Sequence, residues 1–236
     1  MNKKIMNTAK DRMGAIKDYW DQKLSQQGSR SYLRSDFNLQ GTNSSINFNI
    51  LANQGSPSAS ENRLQLADAF VVTHIGFYLL KAGTSTSATA TEIAQAVPHT
   101  FPNPLVFTGS GEAANLEVLY NSSLTLKLNQ VVWYPYLAMR KFYRVGTSQA
   151  TVGSSAVNNS PVQRDEWNGP DYGSLPLIPP ILFNGQGQNS VVINMAASVA
   201  TSGTSSTNLI SFVADGILYP NCASKLGVKE FNVFRQ

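Results

Sequence analysis

Two histidines, one cysteine and a thin scatter of carboxylates are all that this 236-residue chain offers for acid–base, nucleophilic or metal chemistry. A hydrolase or transferase needs such groups to converge on one pocket. His74 lies inside the apolar run Val71-Val72-Thr73-His74-Ile75, the setting of a hydrogen-bonded core or edge histidine and not of a base. His99 sits in a loop between Pro98 and Thr100, and neither histidine has an Asp-Ser or Cys companion close in sequence. Cys222 alone supports neither an intrachain disulfide nor a multi-cysteine metal site. Asp165, Glu166 and Asp171 gather around Trp167-Asn168-Gly169-Pro170 and have the chemistry for a hard cation, but their spacing is not that of an EF-hand, so a solvated loop is expected. Gly109-Ser110-Gly111 and Gly185-Gln186-Gly187 share only their glycines with phosphate loops: no Lys-Ser or Lys-Thr pair follows, neither is expected to open a helix, and both read as turns. No catalytic residue, metal ligand or cofactor site is assigned, and the chain does not read as an enzyme.

Two stretches carry binding chemistry instead. In Trp133-Tyr134-Pro135-Tyr136-Leu137-Ala138-Met139-Arg140-Lys141-Phe142-Tyr143-Arg144, aromatics are interleaved with the cations Arg140, Lys141 and Arg144. Such a pattern stacks on and neutralises single-stranded nucleic acid, or forms a buried connector whose cations lie at a subunit seam. Nucleic acid is the less expected partner, because it needs a broader basic face than this chain supplies. The second stretch is the N-terminus. Ile5, Met6, Ala9, Met13, Ile16, Trp20 and Leu24 recur three and four apart, which predicts a helix with one narrow apolar stripe. Lys10 and Lys17 flank the stripe on one side, Arg12 and Lys23 on the other, and Lys3 and Lys4 precede it. Basic flanks beside an apolar stripe suit a helix on anionic lipid, with long side chains snorkelling to phosphates. A helix packed under the β body or along a neighbouring subunit satisfies the same pattern.

The charge is concentrated in that arm. Residues 1–27 carry six basic and three acidic side chains, the remainder twelve and eleven, for a formal total of +4. Only 14% of residues are charged, against roughly a quarter in ordinary soluble domains. Polar but uncharged faces pack against neighbours without the cost of desolvating Lys or Glu. Lys10, Asp11 and Arg12 break any apolar run behind Lys3 and Lys4 that would serve as a secretory signal, and no window reaches the roughly 18 apolar residues of a membrane span. The chain is expected to remain in a cytoplasm until it assembles.

From Ser31 onward, alternating apolar residues and turn clusters predict an all-β body. Expected strands are Leu33–Leu39, Ile46–Leu51, Ala69–Thr73, Ile75–Leu80, Leu105–Phe107, Leu116–Tyr120, Leu124–Leu128 and Val131–Tyr136. A second group comprises Phe142–Val145, a strand near 157–162, Ile181–Phe183, Val191–Met195, Leu209–Ala214, Ile217–Tyr219 and Phe231–Phe234. One short helix is expected over Thr91–Val97, capped by Thr89 or Thr91 with Glu92 in its first turn. About eight strands followed by about seven predicts two tandem eight-stranded barrels, residues 31–137 and 138–236, behind a helical arm over 1–30. A single roll with extra hairpins is the alternative.

This layout resembles the jelly-roll major capsid proteins of tailless, membrane-containing bacteriophages, in particular the Finnlakeviridae. The resemblance rests on the amphipathic basic N-terminus, then Leu33-Arg34-Ser35-Asp36-Phe37, Leu66-Ala67-Asp68-Ala69-Phe70-Val71-Val72-Thr73 and Pro179-Pro180-Ile181-Leu182-Phe183-Asn184-Gly185. It implies a double jelly roll, homotrimers in an icosahedral shell, other capsid proteins as partners, and an N-terminal helix near an internal membrane. The 206 residues that follow residue 30 are few for sixteen strands, so a single-barrel vertex or minor capsid protein is the rival within the class. From a different class, a carbohydrate-binding β-sandwich would use Trp133, Trp167 or Tyr172 as stacking platforms.

Overall fold

A computed structural model describes residues 9–83, 85, 87–128, 131–145, 173–203 and 206–226, with side chains from residue 13 onward. Eight strands form two four-stranded antiparallel sheets: β1 (Ser29–Asn38), β2 (Thr42–Phe48), β3 (Ala69–Ala82), β4 (Ser123–Leu128), β5 (Val131–Ala138), β6 (Ser174–Asn184), β7 (Asn189–Ala200) and β8 (Thr207–Tyr219). The first sheet runs β1-β8-β3-β6, the second β2-β7-β4-β5. Within them β1 pairs with β8, β2 with β7, β3 with β6 and β4 with β5, so each strand of the first half finds its partner in mirror order in the second. The additional pairs β3·β8 and β4·β7 complete the two sheets.

This pairing corrects the division at residue 137. Strands β6, β7 and β8 make no pairs with one another; their backbone groups are satisfied by β1 to β4, and a second barrel made of them would leave those groups unpaired. The strand count shrinks for local reasons too. Ala69–Thr73 and Ile75–Leu80 are one strand whose alternation is shifted by a bulge between Val72 and His74, and the register of β8 shifts against it there. Leu209–Ala214 and Ile217–Tyr219 likewise belong to the single strand β8. Leu116–Tyr120 is no strand but the end of helix α3 (Glu112–Tyr120), where Leu116, Leu119 and Tyr120 fall three and four apart and are all buried. Leu105–Phe107 lies in turns, and Phe142 ends a 3-10 turn over Met139–Phe142. The expected strands near 157–162 and at 231–234 lie outside the described residues.

The core fills the space between the sheets. Ile46 and Phe48 on β2 and Leu124, Leu126 and Leu128 on β4 alternate inward as expected, against Phe70, Val72, Ile75, Phe77 and Leu79 of β3. Phe77 is the hub, in ring contact with Phe48, Phe142 and Phe212 at centroid distances of 4.9–5.6 Å. Two helices lie over the outer face of the first sheet. Helix α1 (Ala9–Leu24) covers one end, and α2 (Ala90–Gln95) with the residues after it covers the other, where Ile93 and Ala96 meet Leu80, Ala82 and Leu209. The expected short helix is thus present. Thr89 is its cap, and Glu92 reciprocates to close a capping box.

Candidate interaction surfaces

The N-terminal arm can be followed from its buried face. Trp20 is 1% and Leu24 2% exposed, and both pack with Ala69, Val71, Leu182, Ile217, Tyr219 and Cys222, while Met13 and Ile16 lean on the same cluster. Removal of that much apolar surface from water is worth about 2–3 kcal/mol for Trp20 alone. Trp20 and Leu24, expected to contact lipid or a neighbour, are therefore spent on the chain's own sheet, because an outward face carrying Val71, Ile217 and Tyr219 needs a cover. Polar contacts fix the docking. Asp21 accepts hydrogen bonds from Lys17, from the Gly28 backbone N–H at 2.9 Å and from the Tyr219 hydroxyl at 2.9 Å. Burial raises the pKa of Asp21, but these donors outweigh it and hold the carboxyl below its ordinary value. Lys225 reaches the Leu24 carbonyl at 3.0 Å, and the Cys222 thiol donates to Gln26. Gly28 lets the chain turn from α1 into β1 against that sheet: a Cβ there would stand 2.5 Å from Ile217 and Tyr219. Lys23 lies over the rings of Tyr19 and Trp20. Lys10 and Arg12 fall on the described helix backbone, whereas Lys3 and Lys4 lie outside the described residues.

The aromatic–basic stretch is divided by the fold. Val131–Ala138 is β5, at the margin of the second sheet, and Pro135 is tolerated there because an edge strand has ladder positions to spare. Trp133 and Tyr134 lean into the core, whereas Val132 is 37% and Tyr136 85% exposed. Arg140 pairs with Glu117 at 3.0 Å and stacks 3.9 Å from the Tyr143 ring centroid. Lys141 is exposed, and the Arg144 carbonyl accepts from Thr100 at 2.6 Å. The three cations thus follow β5 on and after the 3-10 turn, and Arg140 is engaged within the chain.

The two histidines and the first glycine loop are each held by hydrogen bonds within the fold. The Nδ1 of His74 is 3.1 Å from the Thr73 hydroxyl at the β3 bulge. His99 is held by paired backbone bonds to Leu79 at 2.7 and 2.8 Å, and burial pushes its pKa down. Gly111 caps α3, so the first glycine loop does open a helix, contrary to expectation. The anion at that helix start is the chain's own: Glu112 Oε2 accepts from the Gly109 N–H at 2.7 Å and pairs with Lys81 at 3.2 Å, while its Oε1 accepts from Asn208 at 2.7 Å. Sequence reading missed this carboxylate, since nothing in Gly-Glu-Ala-Ala marks Glu112 as 4% exposed. A second buried pair, Glu61 with Arg63, ties the β2–β3 connection to β1 through the Asp36 backbone N–H. Asp165, Glu166, Asp171, Trp167 and Tyr172 lie outside the described residues. Among the described residues no three His, Cys, Asp or Glu side chains gather as metal ligands, and no helix is long and apolar enough to cross a membrane.

One cavity of about 160 Å³ opens on the outer face of the first sheet, between the two covering helices. Its floor is two neighbouring rungs of the sheet, Arg34–Val213–Gly76 and Asp36–Ser211–Tyr78, and Ala96 and Pro98 form its far wall. No protein-family model matches the chain, and no curated protein matches its sequence.

Proposed function

We propose that the chain is a self-assembling structural subunit of an icosahedral virion shell, built as a single jelly roll. The observation that carries this reading is the nested pairing β1·β8, β2·β7, β3·β6 and β4·β5 across two four-stranded sheets. That is the order produced when one long eight-stranded hairpin is rolled up, and jelly rolls of this kind serve as shell, lectin and cupin domains. The shell use is favoured by the surface. Charged residues are scarce, and large apolar side chains stand exposed at separate places on the body: Tyr136 on β5, Ile178 on β6, and Val97 and Leu105 in the connections. A tiling subunit needs several such contacts, one for each kind of neighbour.

A single sandwich favours the single-barrel vertex or minor capsid protein over a double-barrel major subunit. The arm still carries Lys10, Arg12, Lys17 and Lys23 for an anionic membrane or a neighbour, but its apolar stripe serves the body first. Negative-stain microscopy and light scattering of the purified full-length chain test the reading. Regular particles or discrete oligomers are expected; a chain that stays monomeric at millimolar concentration, or turns over a small substrate, ends it.

A further inference from the structure

We infer that subunits meet head to tail, with Tyr136 of one copy inserting its ring into the cavity bounded by Arg34, Tyr78, Ser211, Val213, Ala96 and Pro98 of the next. The inference rests on the shell reading and specifies one contact of the lattice.

The cavity has the size and chemistry of an aromatic ring. Its volume of about 160 Å³ compares with the roughly 150 Å³ of an engineered cavity that takes up benzene. Val213, Ala96 and Pro98 offer apolar walls. Arg34 is held by a bidentate pair with Asp36, at 2.9 and 3.0 Å, which spends the edge of the guanidinium and leaves its planar face for stacking. Ser211 is 2% exposed, and its hydroxyl has no hydrogen-bond partner among the described residues. A buried hydroxyl in that state is costly, and a turn of the Ser211 side chain toward the cavity would give it a partner in a polar atom that arrives with the occupant. A phenol brings a ring for the walls and a hydroxyl for the floor.

The same chain carries the matching knob. Tyr136, at 85%, is the most exposed large apolar side chain among the described residues. It projects from β5, a strand at the margin of its sheet that also carries exposed Val132, just after Pro135. Tyr19, by comparison, is already in edge contact with Trp20 and lies beneath Lys23. Knob and cavity belong to different sheets, so the contact joins two unlike surfaces of the subunit. Made head to tail, such a contact propagates, closing into rings or extending into a lattice.

The test uses the full chain. Tyr136→Cys protein is mixed with Ala96→Cys protein under mild oxidation, and Tyr136→Ala, Tyr136→Phe and Ala96→Leu are compared with the wild type by light scattering. An intermolecular cross-link in the mixture, absent from either variant alone, is expected. So is a rise of about 30-fold in the concentration needed for association of Tyr136→Ala and of the cavity-filling Ala96→Leu, with Tyr136→Phe affected less. Tyr136 is exposed and Ala96 half-buried against Leu80 and Leu209, so an unchanged melting temperature is required of each variant to certify folding. Particles that form with neither the cross-link nor any response to Tyr136→Ala overturn this contact and leave the shell reading standing; a wild type that remains monomeric at millimolar concentration overturns both.

Discussion

Glu112 is a buried charge held on three sides. Its carboxylate sits under α3 with Lys81, Asn208 and the Gly109 N–H as partners, and its side chain is 3% exposed. Glu117, on the same helix, pairs with Arg140 where both side chains are 41–52% exposed. The two pairs look alike in sequence but differ in what removal leaves behind. Glu112→Ala strands a half-buried Lys81 and an Asn208 whose Oδ1 already lacks a partner among the described residues, and is expected to cost about 3–5 kcal/mol. Arg140→Ala removes a solvated pair and is expected to cost about 1 kcal/mol or less. Denaturant midpoints of the two variants check the contrast; equal shifts would contradict it. Residue types and alternation put His74 within a strand, and β3 holds it there beside the Thr73 hydroxyl. They could not reveal Glu112, because its burial depends on Lys81 and Asn208, which lie 31 and 96 positions away.

Helix α1 depends on an acid at its end. Asp21 has a folded pKa below its ordinary 3.8, so its contribution is fully present above that value and is lost as pH falls through the lower folded value. At pH 7, Asp21→Asn is expected to lower the melting temperature by about 4–8 °C, from the loss of charged hydrogen bonds to Lys17, Gly28 and Tyr219. That gap should narrow as acidification below 3.8 protonates Asp21; a gap that does not change with pH would assign the effect to packing instead. The helix itself was legible from the three-and-four spacing of Met13, Ile16, Trp20 and Leu24, whereas its docking partner was not. An apolar stripe states that it must be covered, and the cover here is the outer face of β3 and β8, which the sequence shows only as further apolar strand residues. The same limit explains α3. Leu-Glu-Val-Leu-Tyr has strand-like composition, and only the burial of Leu116, Leu119 and Tyr120 on one side reveals the helical period.

At the scale of the whole molecule, alternation revealed that the chain is β and where most strands lie, but not which strands pair. Ile46 and Phe48 alternate as they would in either barrel; that β2 lies beside β7 is settled by 145 or so residues of intervening chain returning to it. Ser29 is opposite Leu218, and Asn38 opposite Leu209, so among the described residues the first strand's partner is the last. A chain stopped at residue 206 therefore lacks the neighbour of both β1 and β3, and is expected to show no cooperative melting transition by circular dichroism; a cooperative melt would contradict the nested pairing. Contacts so distant in sequence make folding slow relative to helical proteins of the same length. They also set a timetable during synthesis. While a ribosome is still making the loop before β8, the leading strand has emerged without its mate and the cavity floor, half of which is Ser211 and Val213, does not yet exist. If copies associate through the proposed contact, a nascent chain that has not yet exposed β8 cannot offer both halves of it, and association would wait until β8 has folded.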